Sequence, residues 1–230
     1  MDTLIDDGLS IKIIRTKRRK TASIIIADGL VKAVVPDQIS DFTIKELVRK
    51  RMPWIRKKLQ DKSYTTYVKP KEYVDGENFL YLGDTYQLQS FISDLSSVDV
   101  TNSYISVSLP KQSKESIKDL MTHWYVEKAT EILTEKTGNY AKIIGVLPHL
   151  ISVRDFKSKW GSCSIEGKIS YNWRIVMAPH RILDYVVIHE LCHMLEHNHS
   201  KEYWLHVSTY CHDFKECRKW LRLNARSLAI

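Results

Sequence analysis

The sequence predicts an α+β fold: a β-rich N-terminal region, then a region built around one metal-binding helix packed on a small sheet. Three observations predict it. Short β-branched runs broken by glycine turns fill much of residues 1–112, with one helical stretch among them. From Ser113 onward apolar residues recur at helical spacing. Near the C-terminus, Val187–Ser200 carries His-Glu-Leu-Cys-His on an otherwise apolar run. The expected division is therefore 1–112, β-rich and basic with one helix, and 113–230, which holds the metal site.

With 230 residues, 43% of them hydrophobic, the chain can bury a proper core. No apolar run reaches the roughly 18 residues of a membrane helix, so no membrane partner is expected. The first ten residues are acidic and lack the basic-then-apolar layout of a signal peptide. Cys163, Cys192, Cys211 and Cys217 show no paired spacing, which points to reduced thiols in a cytoplasmic protein. Cys192 reads as a small buried residue, since it projects about 100° away from its histidine neighbour. Charge is unevenly placed: residues 1–60 hold 14 Lys/Arg against 7 Asp/Glu, the other 170 hold 21 against 20. The clusters are Arg15 to Lys20, Arg49 to Arg51 and Arg56 to Lys58, which fit either a solvated face or contact with nucleic acid or a nucleotide.

Ser10–Ile14 alternates, and Ala22–Ala27 and Val31–Val35 are β-branched runs around Asp28-Gly29, a hairpin signal. Ser40 or Asp41 caps a helix with apolar positions Ile44, Leu47, Val48, Ile55 and Leu59, which Pro53 should bend or restart. Strands are expected at 79–82, 85–92 and 104–109, with a polar connector over 93–103. The stripe Ile117, Leu120, Met121, Trp124, Ile132 and Leu133 then makes a helix ending near Gly138. A strand over Ile151–Asp155, a small-residue turn over Lys157–Ser164 and a strand over Ile169–Met177 follow. Pro179 suits the first turn of the metal helix, and Ser200 caps a last helix through about Leu223. The chain shows no internal repeat.

His189 and His193 lie four apart, so a helix points both imidazoles the same way, about 6 Å apart along the axis. They can share one ion, and Glu190 reaches a water on that ion rather than the ion itself. A catalytic site of this kind needs a third protein ligand and one open position. On a continued helix His197 would lie about 12 Å along the axis from His189, too far to converge. Asn198 tolerates the left-handed conformation that closes a helix, and a reversal there brings His199 back. The expected ligands are His189, His193 and His199, with His197 outside. Imidazole donors favour zinc, and other divalent transition metals suit them too.

Several stretches together resemble the YgjP-like metallopeptidase family, which is similar in turn to the SprT-like zinc proteases. They are KSKWGSCS (157–164), ISYNWRIVMAP (169–179) and DYVVIHELCHMLEHNHSKEYW (184–204). RTKRRKTASIII (15–26), MPWIRKKL (52–59) and YVDGENFLYLGDTYQL (73–88) resemble its N-terminal region. The resemblance implies a zincin-like catalytic region with zinc on His189, His193 and His199 and Glu190 as general base. In such folds a strand beside the metal helix receives an extended substrate by edge pairing. Here that is the strand with Tyr171, Asn172, Trp173 and Arg174, which makes Tyr171, Asn172 and Arg174 the substrate-binding candidates. Tyr203 stands where the family often has Phe, a change expected to matter little. Oxyanion donors are open among Arg174, Tyr171, His206 and the N–H groups of Trp160–Ser162. Carboxylates to orient the imidazoles are open among Glu196, Glu202 and Asp184.

Three functions follow as readings. The first is a zinc-dependent metallopeptidase acting on a peptide or protein, by water that Glu190 deprotonates on the metal. The second is a metal-dependent hydrolase of a small phosphorylated substrate such as a nucleotide. The third is a nucleic-acid-associated binding module with a structural metal. Oligomeric state is left open by the sequence.

Overall fold

A computed structural model describes residues 3–17, 21–27, 29–60, 69–228 and 230. Arg18, Arg19, Lys20 and Asp28, singled out above, lie outside the described residues. The chain forms two compact units, Met1–Lys69 and Pro70–Ile230. The expected division at residue 112 differs from this one. Strands of 78–109 share a core with the long helix that follows them, so they belong with the C-terminal unit.

In the first unit, β1 (Thr3–Asp6), β2 (Leu9–Thr16), β3 (Ser23–Ala27) and β4 (Leu30–Pro36) form a sheet of order β1-β2-β4-β3. Its apolar face packs on α1 (Asp41–Leu59) through Ile11, Ile13, Val31, Ala33 and Val35 against Ile44, Val48, Met52 and Ile55. Ser40 is the N-cap and accepts from the Thr43 N–H. Of the two effects expected of Pro53, the restart does not occur: α1 runs unbroken through it. The carbonyl that this proline leaves without a donor belongs to Arg49, and both residues are exposed, so water can satisfy it. Residues 1–69 hold 16 Lys/Arg against 8 Asp/Glu, and residues 70–230 hold 19 of each. The whole formal charge of +8 therefore belongs to the first unit.

The second unit opens with β5 (Asn78–Tyr81), β6 (Asp84–Ile92), β7 (Ser97–Val100), β8 (Tyr104–Leu109) and α2 (Lys114–Ile144). Its sheet order, β5-β6-β8-β7, and its pattern of one parallel pair between two antiparallel ones reproduce the first unit's. The repeat is written in residues too. Pro36-Asp37-Gln38-Ile39-Ser40 and Thr43-Ile44-Lys45-Glu46-Leu47 match Pro110-Lys111-Gln112-Ser113 and Ser116-Ile117-Lys118-Asp119-Leu120. Ser113 caps α2 as Ser40 caps α1. The sequence reading found no repeat; this one is a repeat of a whole four-strand-and-helix unit, and only its capping segment has kept similar residues. The helix α2 also passes Gly138, because Leu133, Thr137, Ala141 and Ile144 extend its buried stripe, which outweighs the cost of one glycine, about 1 kcal/mol. Space around Gly138 is open. Gly138→Ala should therefore raise the melting temperature by roughly 2–3 °C, checked by calorimetry, and leave activity unchanged.

The third sheet has the order β10-β11-β9, from β9 (Leu150–Arg154), β10 (Gly161–Cys163) and β11 (Lys168–Asn172). The expected strand to Met177 stops at Asn172, whose side chain accepts from the Arg174 N–H and turns Trp173–Met177 into a 3-10 helix. Next come α3 (His180–Cys192), α4 (Lys201–Tyr210) and α5 (Phe214–Asn224), so the last expected helix is two, broken at Cys211–Asp213. No helix among the described residues is long and apolar enough to cross a membrane.

Candidate metal centre

The helix α3 is nearly all core: Ile182, Leu183, Tyr185, Val186, Val187, Ile188, Leu191 and Cys192 are buried. Its start is fixed by Pro179 and by the β5–β6 turn. Leu82 and Gly83 donate their N–H groups to the carbonyls of Val176 and Met177. Gly83, at φ +95°, must be glycine, because a Cβ there would lie 2.8 Å from Pro179 Cγ. One end of the metal helix is thereby clamped to the second sheet.

The other end shapes the site. The helix stops at Cys192, with His193 as its cap, and three tight turns follow: Met194 N–H to Leu191 O, and Leu195 and Glu196 N–H to Cys192 O. The reversal therefore comes well before Asn198, which is not left-handed as expected. Instead the Asn198 side chain ties to the Glu196 carboxylate at 2.6 Å. His199 returns beside the helix and precedes Ser200, which caps α4.

His189, His193 and His199 converge, each offering a ring nitrogen within 4.8 Å of the others, while exposed His197 is outside the group. The Nε2 atoms of His189 and His199 are 3.4 Å apart. Two nitrogens bound at about 2.0–2.1 Å to one tetrahedral ion stand about 3.3–3.4 Å apart, so the spacing fits such an ion. Tautomers agree. The Tyr203 hydroxyl donates to the His189 carbonyl at 3.0 Å, so its oxygen accepts from His189 Nδ1 at 2.7 Å. His193 Nδ1 donates to the Glu196 carbonyl at 3.2 Å. Both rings keep their protons on Nδ1, which leaves their Nε2 lone pairs free to bind a metal.

None of the three candidate carboxylates orients an imidazole. Asp184 pairs with Lys136 at 2.6 Å, Glu202 sits exposed in the first turn of α4, and Glu196 acts through its backbone carbonyl. The residue that does this work is Tyr203, for which the expected Phe would have no hydroxyl. Its spacing of four from His199 on the α4 side was the available signal. Tyr203 also stacks on His193, with ring centroids 4.5 Å apart, and Trp204 stacks on His199 at 5.5 Å. Tyr203→Phe should keep the fold and weaken metal binding about 10-fold, as read by competition against a chromophoric chelator.

Glu190 is 4% exposed. Its carboxylate lies on the backbone of Gly161, where a Cβ would come within 2.4 Å of Oε1. Burial pushes its pKa up to about 8, against a smaller lowering by Lys159. Burial, with the neighbouring His193 and His199, lowers His189 from 6.5 to about 3. Both shifts make the metal-free protein's stability depend on pH. Glu190 has a raised pKa, so its contribution is complete below 4.5 and lost as pH climbs through about 8. His189 has a depressed pKa, so its contribution is complete above 6.5 and lost as pH falls toward about 3. Chelator-treated protein should show its highest melting temperature between about pH 4.5 and 6.5. In Glu190→Gln only the alkaline decline should vanish, and thermal scans across pH check both limbs.

The substrate-binding candidates are placed differently from expectation. β11 is hydrogen-bonded on both sides, to β9 and to β10, and so has no open edge. Tyr171 is wholly buried with its hydroxyl 3.0 Å from Thr137 Oγ1. Asn172 is 4% exposed and spends its side chain on the carbonyls of Phe156 and Lys159 and on the Arg174 N–H. Arg174 pairs with Asp155 and lies over the Trp173 ring. The resemblance implied β11 as the edge strand, whereas the edges of this sheet are β9 and the three-residue β10, the latter within the expected small-residue turn. His206 makes no ring contact with the three imidazoles among the described residues.

No match to this chain is found among curated proteins. Among solved structures, the metallopeptidase zymogen of Pyrococcus abyssi abylysin is 20% identical, covering 41% of this chain and 93% of its own, with a TM-score of 0.37. The metallopeptidase zymogen of Methanocaldococcus jannaschii jannalysin is 17% identical over 42% of this chain and 97% of its own, with a TM-score of 0.36. A family model described as YgjP-like, metallopeptidase domain, matches residues 20–224, a span that takes in both units and every residue of the metal centre. The chain belongs to the YgjP-like metallopeptidase family.

Proposed function

We propose that this chain is a zinc-dependent endopeptidase acting on extended polypeptide, with His189, His193 and His199 as metal ligands and Glu190 as general base. Family membership supports the coarser part, a metal-dependent peptidase. The observation that carries the rest is the convergence of three imidazoles beside one buried glutamate. Three protein donors leave a position open, which is the donor count of a catalytic site; a structural site is closed by four.

A divalent ion on these imidazoles supplies Lewis acidity toward a carbonyl oxygen and toward water. Everything else falls to the chain. Glu190, ionised beside the bound cation, takes the proton of the attacking water and returns it to the departing amine. A C–O bond forms, the C–N bond breaks, and the carboxylate ends as it began. Tyr203 and the Glu196 carbonyl keep two imidazoles in the tautomer the reaction needs. β10 pairs on one side only among the described residues, so its other edge can hold an extended substrate by backbone hydrogen bonds.

The test is direct. Zinc-loaded protein is incubated with an unstructured protein, and new α-amino termini are read by mass spectrometry. Cleavage that stops with chelator and returns with zinc is the expected result. Intact substrate after prolonged incubation, with phosphate released instead from nucleotides, would move the chain to the phosphorylated-substrate reading.

A further inference from the structure

The strand β10 is entered from the loop Phe156–Trp160, and this loop forms one wall of a groove of about 720 Å³. The groove has a one-sided charge. Lys157, Lys159, Arg174 and Arg226 line it against a single carboxylate, Asp155, which is already paired with Arg174. That contrasts with the unit as a whole, whose charges cancel at 19 cations against 19 carboxylates. The groove is also preorganised. The buried Asn172 donates its side-chain amide to the carbonyls of Phe156 at 2.9 Å and Lys159 at 3.2 Å, and its backbone N–H to Trp160 O at 2.8 Å. Lys159 is laid over the Phe156 ring, 4.5 Å from its centroid. Both lysines are exposed, and Lys157 has no carboxylate partner among the described residues.

The groove lies next to the chemistry, because Gly161, the residue that follows this loop, carries the Glu190 carboxylate on its backbone. Direction follows from strand geometry. A substrate laid antiparallel on the free edge of β10 has its N-terminal part beside Cys163 and its C-terminal part beside Gly161. Past Gly161 it continues over the loop, so the residues after the scissile bond fall at the cationic groove.

We propose that this groove is a carboxylate-recognising subsite that selects substrates with an acidic side chain, or a free terminal carboxylate, just after the bond that is cut. The inference rests on the peptidase reading and on β10 as its edge strand. Lys157 and Lys159 provide the recognising charges, and Asn172 is a positioning residue that holds their loop.

The experiment compares quenched fluorogenic peptides that differ only at the two positions after the cleaved bond: Glu, Gln or Lys. Each is made as a free acid and as an amide, to separate side-chain from terminal carboxylate. Expected is a preference of about 10-fold in kcat/KM for Glu over Lys at low salt, shrinking as salt rises. In Lys157→Glu/Lys159→Glu the Glu-to-Lys ratio should invert. The ratio is taken within each protein, so a general loss of rate cancels. An equal ratio in both proteins, or a preference only before the cleaved bond, overturns the proposal.

A binding measurement separates the two readings. Zinc-loaded Glu190→Gln is titrated with the same peptides in labelled form. Acid-selective binding that the lysine reversals abolish, without any cleavage by the parent protein, upholds the groove and sinks the peptidase reading. Cleavage with no charge preference does the opposite. Hydrolysis of a nucleoside triphosphate with every peptide untouched and unbound overturns both.

Discussion

Glu190→Gln should abolish peptide hydrolysis and leave the metal in place. The carboxylate is the only buried acid of the chain's described residues, and it follows His189 on the same helix without belonging to the group of converging side chains. Gln keeps its shape, so the contact with Gly161 survives and nothing in β10 has to move. What disappears is the ability to take a proton from water and give it to the amine. General-base contributions run to about 10²–10⁴-fold, and the proposed mechanism puts both transfers on one residue, so a loss of at least about 10³-fold in kcat is expected. Zinc content, by elemental analysis, should stay at the parent's value. Metal-free melting above pH 8 should improve, since a neutral amide avoids the cost of ionising a buried group whose pKa stands at about 8. A variant that keeps a tenth of the parent's activity would remove Glu190 from the mechanism. One that loses zinc would show it to be a ligand or a support of the ligands.

The convergence of His189, His193 and His199 was legible in the sequence because it depends on local geometry. A spacing of four on a helix fixes the relation of His189 to His193 whatever the tertiary fold does. For His199 the place beside the other two imidazoles is as expected, but the backbone path to it differs. The turn begins at His193, and not at a left-handed Asn198; the expectation about His199 needed only that the chain reverse before it. The residues that finish the site come from distant parts of the chain. Gly161 meets Glu190 only because β10 pairs with β11 and packs under α3, and no pattern within 161–163 announces that contact. Tyr203 was visible as an aromatic, yet its function depends on where its hydroxyl points, which only packing decides. Within 78–109 the sequence shows three of the four strands, while β7 falls in the stretch expected to be a polar connector, and all four lie in the C-terminal unit and not the N-terminal one. Alternation shows which face is buried but not which partner buries it; here that partner is α2, which follows them. The repeated unit escaped for a related reason: a sheet-and-helix scaffold asks only for apolar positions at the right period, so its two copies drifted apart except at the helix cap, where Ser and the residue three beyond it have a hydrogen-bonding job.

Gly161→Ala should cost on the order of 10²-fold in kcat, less than loss of the base itself, although it adds only one methyl group. That Cβ would stand 2.4 Å from Glu190 Oε1, 2.6 Å from Cγ and 2.7 Å from Cδ, so the carboxylate, the strand or both must shift. The backbone at Gly161 is not left-handed, so alanine meets no conformational barrier, and in a strand it is the better residue. The strain therefore concentrates on the base. A displacement of about 1 Å at a reacting group costs on the order of 10²-fold in rate, which sets the expected fall in kcat. The three atoms nearest the new methyl all belong to Glu190 and none to an imidazole, so zinc affinity should stay within about 3-fold of the parent's, a margin well short of the 10-fold cost of losing an orienting partner. Gly138→Ala serves as the control, adding the same methyl where space is open. Loss of zinc together with activity in Gly161→Ala would point to collapse of the site as a whole. Full activity would mean that Glu190 works from a different rotamer, and the contact with Gly161 would then have no part in catalysis.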